Sequence, residues 1–82
     1  MAIDRDGLLG FIDQEFGIGP DEITDETLLF TDGFLDSLSV ASLVTYIEQA
    51  AGFQAEPTEI TLDNLDSIGR ILAYVQSKSG SP

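Results

Sequence analysis

The stretch Asp32-Gly33-Phe34-Leu35-Asp36-Ser37-Leu38 decides how this chain is organised. A long irregular segment ends there and a strong helical pattern begins. Val40, Leu43, Val44 and Ile47 recur at steps of three and four, which puts them on one face of a helix over residues 37–51. Gly52 is its natural stop. Asp36 stands where an N-cap belongs, able to accept a hydrogen bond from the backbone N–H of Ser39. Ser37 is thereby expected in the first helical turn, where backbone N–H groups lack partners and the positive end of the helix dipole faces outwards.

Upstream, Leu8, Phe11, Ile12 and Phe16 predict a first helix over residues 4–16, capped by Asp4 or Asp6 and ended by Gly17. The connection over residues 17–36 is unusually long for so small a domain, and loops of roughly 20 residues are often functional. Ile18, Ile23, Leu28, Leu29, Phe30, Phe34 and Leu35 should pin it to the helices. Residues 24–31 could alternatively form a helix of their own. If they do not, the loop lacks regular hydrogen bonds and should be mobile relative to the helices.

Downstream, Phe53 reads as an anchor just past the second helix. Residues 57–62 form a short helix or turn opened by Pro57, and residues 63–67 are a capping segment. Asp66 or Ser67 starts the last helix, with Ile68, Ile71, Leu72 and Val75 facing inwards. The whole is one domain over residues 1–82, with a core over about residues 4–76 and a flexible polar tail over residues 77–82. No repeat, low-complexity tract, strand alternation or heptad run is present. The fold class is all-α: a four-helix bundle of three main helices and one short one, with the long loop between helices 1 and 2.

Composition narrows the function. Asp and Glu number 15 against 3 Lys and Arg among 82 residues, for a net charge of −12. Nucleic acid and anionic membrane surfaces would repel such a chain, and basic protein partners would be steered to it. With 43% hydrophobic residues the acidity does not signal disorder. There is no cysteine and no histidine, so disulfides, a thiolate nucleophile, the usual general base and the usual zinc ligands are excluded. No apolar run approaches the ~20 residues needed to span a bilayer. The start, Met1-Ala2-Ile3-Asp4, is not a signal peptide. A cytoplasmic monomer is the default expectation.

Few chemistries remain. Ser37 cannot act as its own catalyst, because a serine nucleophile needs a base and the only lysine, Lys78, lies near the chain end. Asp4-Arg5-Asp6-Gly7 has part of a calcium-loop pattern, but its register puts Ala2 at the first ligand position and Asp13 at the last, so a dedicated site is rejected. Ser37 as a target for modification by another protein suits a helix start, where an attached phosphate would be stabilised. On local features alone, an ordinary cap without chemistry is the commoner reading of Asp36-Ser37.

The wider pattern shifts that balance. Asp36-Ser37-Leu38, preceded by Gly33, opens a long helix after a long loop in an acidic four-helix chain. Nearly the whole chain, from Leu8 to Val75, resembles the acyl carrier protein and peptidyl carrier protein family. The resemblance implies that Ser37 bears a 4'-phosphopantetheine arm, transferred from coenzyme A by a phosphopantetheinyl transferase. The arm's thiol would hold acyl or aminoacyl groups as thioesters for a loading ligase and downstream acyl-processing enzymes. Such a carrier is not itself an enzyme and needs no metal. Asp36 matches the family's acid expected to help in the transferase complex, and Leu38 its apolar partner contact.

The departures matter as well. Carriers of bacterial fatty acid synthesis resemble G-A-D-S-L at this site and have an acid-rich second helix. Here Phe34-Leu35 replaces the small residues, and Glu48 is the one acid in residues 37–51. Partner reading is expected through Leu38, Ala41, Ser42 and Thr45, by shape and small apolar contacts. Glu56 stands before Pro57 where the family tends to place an apolar residue. These features point to a stand-alone carrier of a specialised aminoacyl, D-alanyl or polyketide pathway rather than housekeeping fatty acid synthesis. The competing hypothesis is a non-covalent acidic adaptor that binds a basic protein.

Overall fold

The computed structural model describes residues 4–79, and helices are the only regular secondary structure among them. Helix α1 spans Arg5–Phe16, α2 Ser39–Ala51, α3 Leu62–Leu65 and α4 Ile68–Ser79, with a single 3₁₀ turn at Pro57–Glu59. Helix α4 is the hub, packing on α1, α2 and α3. The reason lies in its sequence: Ile68, Ile71 and Val75 are fully buried and meet Leu8 and Ile12 of α1 and Leu43 and Ile47 of α2 in one core. Leu72 is only partly buried, and Tyr74, not foreseen, takes a buried place instead.

The ends of α1 and α2 follow their local chemistry. Asp4 accepts the Gly7 N–H at 2.7 Å and caps α1. Gly17 and Gly52 close α1 and α2 in left-handed conformations, which cost a glycine little. Ser67 Oγ accepts the Arg70 N–H at 3.1 Å and caps α4. Phe11 stacks flat on Tyr46 at 4.2 Å, joining α1 to α2. Phe53 is an anchor as expected, meeting Tyr74 edge-on.

Several expectations are corrected. Helix α2 begins at Ser39, not Ser37. The Ser39 N–H turns back to the carbonyl of Asp36 at 3.0 Å, so residues 36–39 form a tight turn ahead of the first full helical turn. Residues 57–62, expected as a short helix or turn, hold a turn at Pro57–Glu59. Ile60 then leaves helical geometry and Thr61 is extended, so the short helix is Leu62–Leu65, made largely from the expected capping segment over residues 63–67. The expected tail is helical as far as Ser79, while residues 80–82 lie outside the described ones. Its extension has a cause: Lys78 Nζ bonds Glu59 Oε2 at 2.8 Å, and Ser77 Oγ donates to the Tyr74 carbonyl.

That contact belongs to a cluster around Glu59. Tyr74 Oη donates to Glu59 Oε1 at 2.9 Å. The Lys78 ammonium, then the Glu56 N–H and the Tyr74 hydroxyl, hold the Glu59 carboxyl below its usual range. Burial, and then the bond to Glu59, push the Tyr74 hydroxyl up to about 12. Glu56 and Glu59 exchange side-chain and backbone bonds around the 3₁₀ turn, so Glu56 substitutes a capping box for apolar packing before Pro57.

The loop over residues 17–38 forms turns and no helix. Ile18, Ile23, Leu29 and Leu35 are buried and Leu28 and Phe30 partly so, as expected for a pinned loop. Phe34 is the exception, at 40% exposure. Polar bonds, not foreseen, fasten the loop to the start of α4. The Leu29 N–H donates to the Asp66 carbonyl and the Gly69 N–H to the Asp25 carbonyl. Phe30 N, Thr31 N and Thr31 Oγ1 all donate to the Asp66 carboxylate. The loop is irregular but hydrogen-bonded.

Candidate functional site

The site is built where that loop delivers the chain to α2. Asp66 fixes Phe30 and Thr31 from one side. Asp32 and Gly33 then bond back to Leu28 and Phe30, and Gly33 turns at φ 87, a conformation that favours glycine. The Leu35 N–H donates to the Leu29 carbonyl at 2.8 Å, and the Leu35 side chain drops into the core. With Leu35 held inside, Asp36, Ser37 and Leu38 are all exposed.

Leu38, not Asp36, takes the N-cap position of α2, but Asp36 makes the bond to Ser39 expected of it. Its Oδ1 accepts the Ser39 N–H at 3.1 Å and the Ser39 hydroxyl at 3.0 Å. Ser37 makes no side-chain hydrogen bond, in contrast to Ser39, Ser67 and Ser77, whose hydroxyls are engaged. It stands immediately ahead of α2, so the positive end of a 13-residue helix lies beside it. Leu38 is 83% exposed. A large apolar side chain so free of contacts is available to another molecule.

Two depressions flank this point. Ala41, Ser42 and Thr45 are brought together in an open one of about 340 Å³, walled by Phe11, Glu15 and Tyr46. With Leu38 they make an i, i+3, i+4, i+7 stripe along α2. On the other side, Phe30, Val40, Ile60, Thr61, Leu62 and Leu65 line a mainly apolar cleft of about 290 Å³. Val40 lies one helical turn beyond Ser37.

Glu48 does not add charge to the α2 stripe. Its carboxylate accepts the Ala55 N–H at 2.9 Å, so it secures the chain after α2. The basic side chains are also occupied: Arg5 pairs with Asp25, Lys78 with Glu59, and Arg70 reaches the Leu62 carbonyl. No His, Cys, Asp or Glu cluster among the described residues could hold a metal. Nor is any helix among them long and apolar enough to cross a membrane.

Sequence reasoning missed Asp66, which it read only as a possible cap. The buried carboxylate orients the approach to Ser37 from far along the chain. Its one sequence signal was an acid set among Leu65, Ser67 and Ile68, a place where a charge must find partners.

Comparison with known proteins bears on this arrangement. A family model described as a phosphopantetheine attachment site matches residues 6–75. A D-alanyl carrier protein of Abiotrophia defectiva is 36% identical over 61 residues, covering 71% of this chain and 77% of that protein. An acyl carrier protein of Streptococcus pyogenes is 38% identical over 66 residues, with coverage of 80% and 82%. One of Thermotoga maritima is 28% identical over 69 residues, with coverage of 84% and 83%. No solved structure gives a significant match.

Proposed function

Because the chain belongs to the phosphopantetheine-attachment family of carrier proteins, whose model spans residues 6–75, we propose that Ser37 is the residue that bears the arm. The protein is a carrier and not an enzyme, and its cofactor is covalently held 4'-phosphopantetheine. The arm contributes a thiol that this cysteine-free chain lacks, and acyl groups are carried on it as thioesters.

The observation that carries the assignment is the exposed, unengaged Ser37 hydroxyl between a capping Asp36 and an exposed Leu38. The surroundings suit a phosphodiester: there is room around the hydroxyl, and the start of α2 favours negative charge. In the transfer, a bond forms from Ser37 Oγ to phosphorus as the phosphoanhydride of coenzyme A breaks and the nucleotide part leaves. The proton from Oγ goes to a base in the complex with the transferase, since this chain has no histidine and its one lysine, Lys78, is bound to Glu59.

The family works with a phosphopantetheinyl transferase and acyl-processing enzymes. For this chain, the proposal assigns partner reading to Asp36, Leu38, Ala41, Ser42 and Thr45. It also assigns a cytoplasmic monomer, and a specialised acyl or aminoacyl pathway in preference to housekeeping fatty acid synthesis. The likeness to a D-alanyl carrier protein and the uncharged outer stripe of α2 favour that pathway class. The cleft of about 290 Å³ lies at the small end of ligand pockets, which suits a small cargo. The family match leaves the acidic adaptor without an observation of its own.

Incubation with coenzyme A and a broad-specificity transferase should add the mass of one arm to the wild type and nothing to Ser37→Ala. An undiminished gain on Ser37→Ala would refute the assignment.

A further inference from the structure

Phe34 departs from both its sequence expectation and its neighbours. Leu35 is 5% exposed, yet Phe34, one residue earlier, is 40% exposed. The cause is local. Gly33 turns at φ 87, and the Leu35 N–H bonds the Leu29 carbonyl. The bend that follows Gly33 takes Leu35 into the core and leaves Phe34 at the surface. Among the described residues the exposed large apolar side chains are Phe34, Leu38, Ile60 and Leu62. Phe34 and Leu38 lie on either side of Ser37.

We propose that Phe34 joins Leu38, already assigned to partner reading, in a two-sided apolar docking surface for the transferase that modifies Ser37. This rests on the assignment of Ser37 as the attachment residue. Three arguments select that occupant. First, the transferase is the partner whose bond-making takes place at Ser37 Oγ itself, whereas a partner acting on cargo meets the far end of the arm. Second, Phe34 lies within three residues of Ser37, no more than about 11 Å even in a fully extended chain, and Leu38 is adjacent. An enzyme whose reacting atoms touch Oγ must cover both. Third, Asp32 and Asp36 are exposed beside the pair and no basic residue occurs between Arg5 and Arg70. The matching surface is therefore an apolar recess with a cationic rim. A large side chain that fills a partner's pocket, ringed by contacts that exclude water, is the arrangement from which a binding hot spot draws its energy.

The test is the kinetics of arm transfer, followed by intact mass, on the full chain with coenzyme A and a broad-specificity transferase. Phe34→Ala should raise the KM for the carrier by about tenfold, as for a truncated hot-spot residue, with kcat unchanged. Phe34→Leu should recover most of that loss. Leu38→Ala, at a position too exposed to affect the core, should raise KM in the same way. Because a misfolded fraction of the carrier would also raise the apparent KM, the change counts only where the variant's melting temperature and its final extent of mass gain match those of wild type. Binding of the transferase to the unreactive Ser37→Ala carrier should weaken by a similar factor when Phe34→Ala is added. Rising salt should raise KM for wild type and Phe34→Ala in parallel. Wild-type KM for both Phe34→Ala and Leu38→Ala would overturn the docking surface and leave the Ser37 assignment intact. Mass gain on Ser37→Ala, or none on the wild type, would overturn both.

Discussion

Asp66 and Thr31, 35 residues apart in sequence, are joined by two hydrogen bonds: the carboxylate of one accepts both the backbone N–H and the hydroxyl of the other. A third bond comes from Phe30 N at 2.7 Å. Asp66 is 2% exposed, so its charge is tolerable only because these donors surround it. Asp66→Ala would remove the acceptor of three part-buried hydrogen bonds and should cost roughly 1–3 kcal/mol in chemical denaturation. Asp66→Asn, which keeps an acceptor oxygen, should cost less. Hydrogen exchange should speed at residues 29–31 in both variants. Stability loss below about 0.5 kcal/mol for Asp66→Ala would show that the clamp is idle.

Acid should release the same clamp. Burial alone would raise the Asp66 carboxyl, but the Thr31 and Phe30 donors, with Arg70 nearby, bring it below its ordinary value of 3.8. A carboxyl lowered on folding stabilises above its unfolded pKa and loses that contribution as pH falls through the folded value. Melting temperature should therefore drop below about pH 4, and more steeply in wild type than in Asp66→Asn.

Alkali should act at the opposite end of the bundle. Tyr74 moves from 10.0 to about 12, and Lys78 is also raised by its bond to Glu59. Groups raised on folding contribute fully below their unfolded pKa and lose that contribution as pH climbs through the folded one. Stability should hold up to about pH 10 and then fall towards the folded value of Tyr74. Tyr74→Phe should flatten much of this decline, leaving the part due to Lys78. An unchanged alkaline profile in Tyr74→Phe would rule out the Tyr74–Glu59 bond as its source.

The cap at α2 should be worth a measurable amount. Asp36→Ala removes the side-chain acceptor of the Ser39 N–H and hydroxyl, while the Ser39 N–H keeps its bond to the carbonyl of residue 36, and should cost about 1 kcal/mol. Ser39→Ala should cost less, since its backbone N–H still reaches Asp36. Because the two act on each other, the double variant should cost less than the sum of the single ones. Strict additivity in a double-mutant cycle would contradict a shared cap.

Net charge should set the salt response. At −12 the folded chain repels itself, and screening relieves this within a Debye length of about 10 Å at 0.1 M salt. Melting temperature should rise from very low to moderate salt, and a flat curve would count against self-repulsion.

Much of the fold was legible because its signals are local. The stripes Leu8–Ile12, Leu43–Ile47 and Ile68–Val75 repeat at helical spacing, and Gly17, Gly52, Asp4 and Ser67 mark ends through bonds within one turn. Asp36 and its bond to Ser39 were readable for the same reason. The short elements were less so. Whether residues 57–65 coil as one piece or two depends on Thr61, whose extended backbone breaks the segment in a way its neighbours do not announce.

By itself, the sequence determined that this is an acidic all-helical domain with a serine close to the start of its second long helix and no histidine or thiol, and its resemblance to a family supplied the carrier role. Periodicity, caps and composition are properties of residues close in the chain, so they survive without coordinates. Only the tertiary structure decided how the serine is presented. The Asp66 clamp, the burial of Leu35 and the outward turn of Phe34 all depend on residues 29–35 meeting the start of α4. Such contacts join positions far apart in sequence, and no local pattern specifies which buried charge will find which unpaired backbone donor.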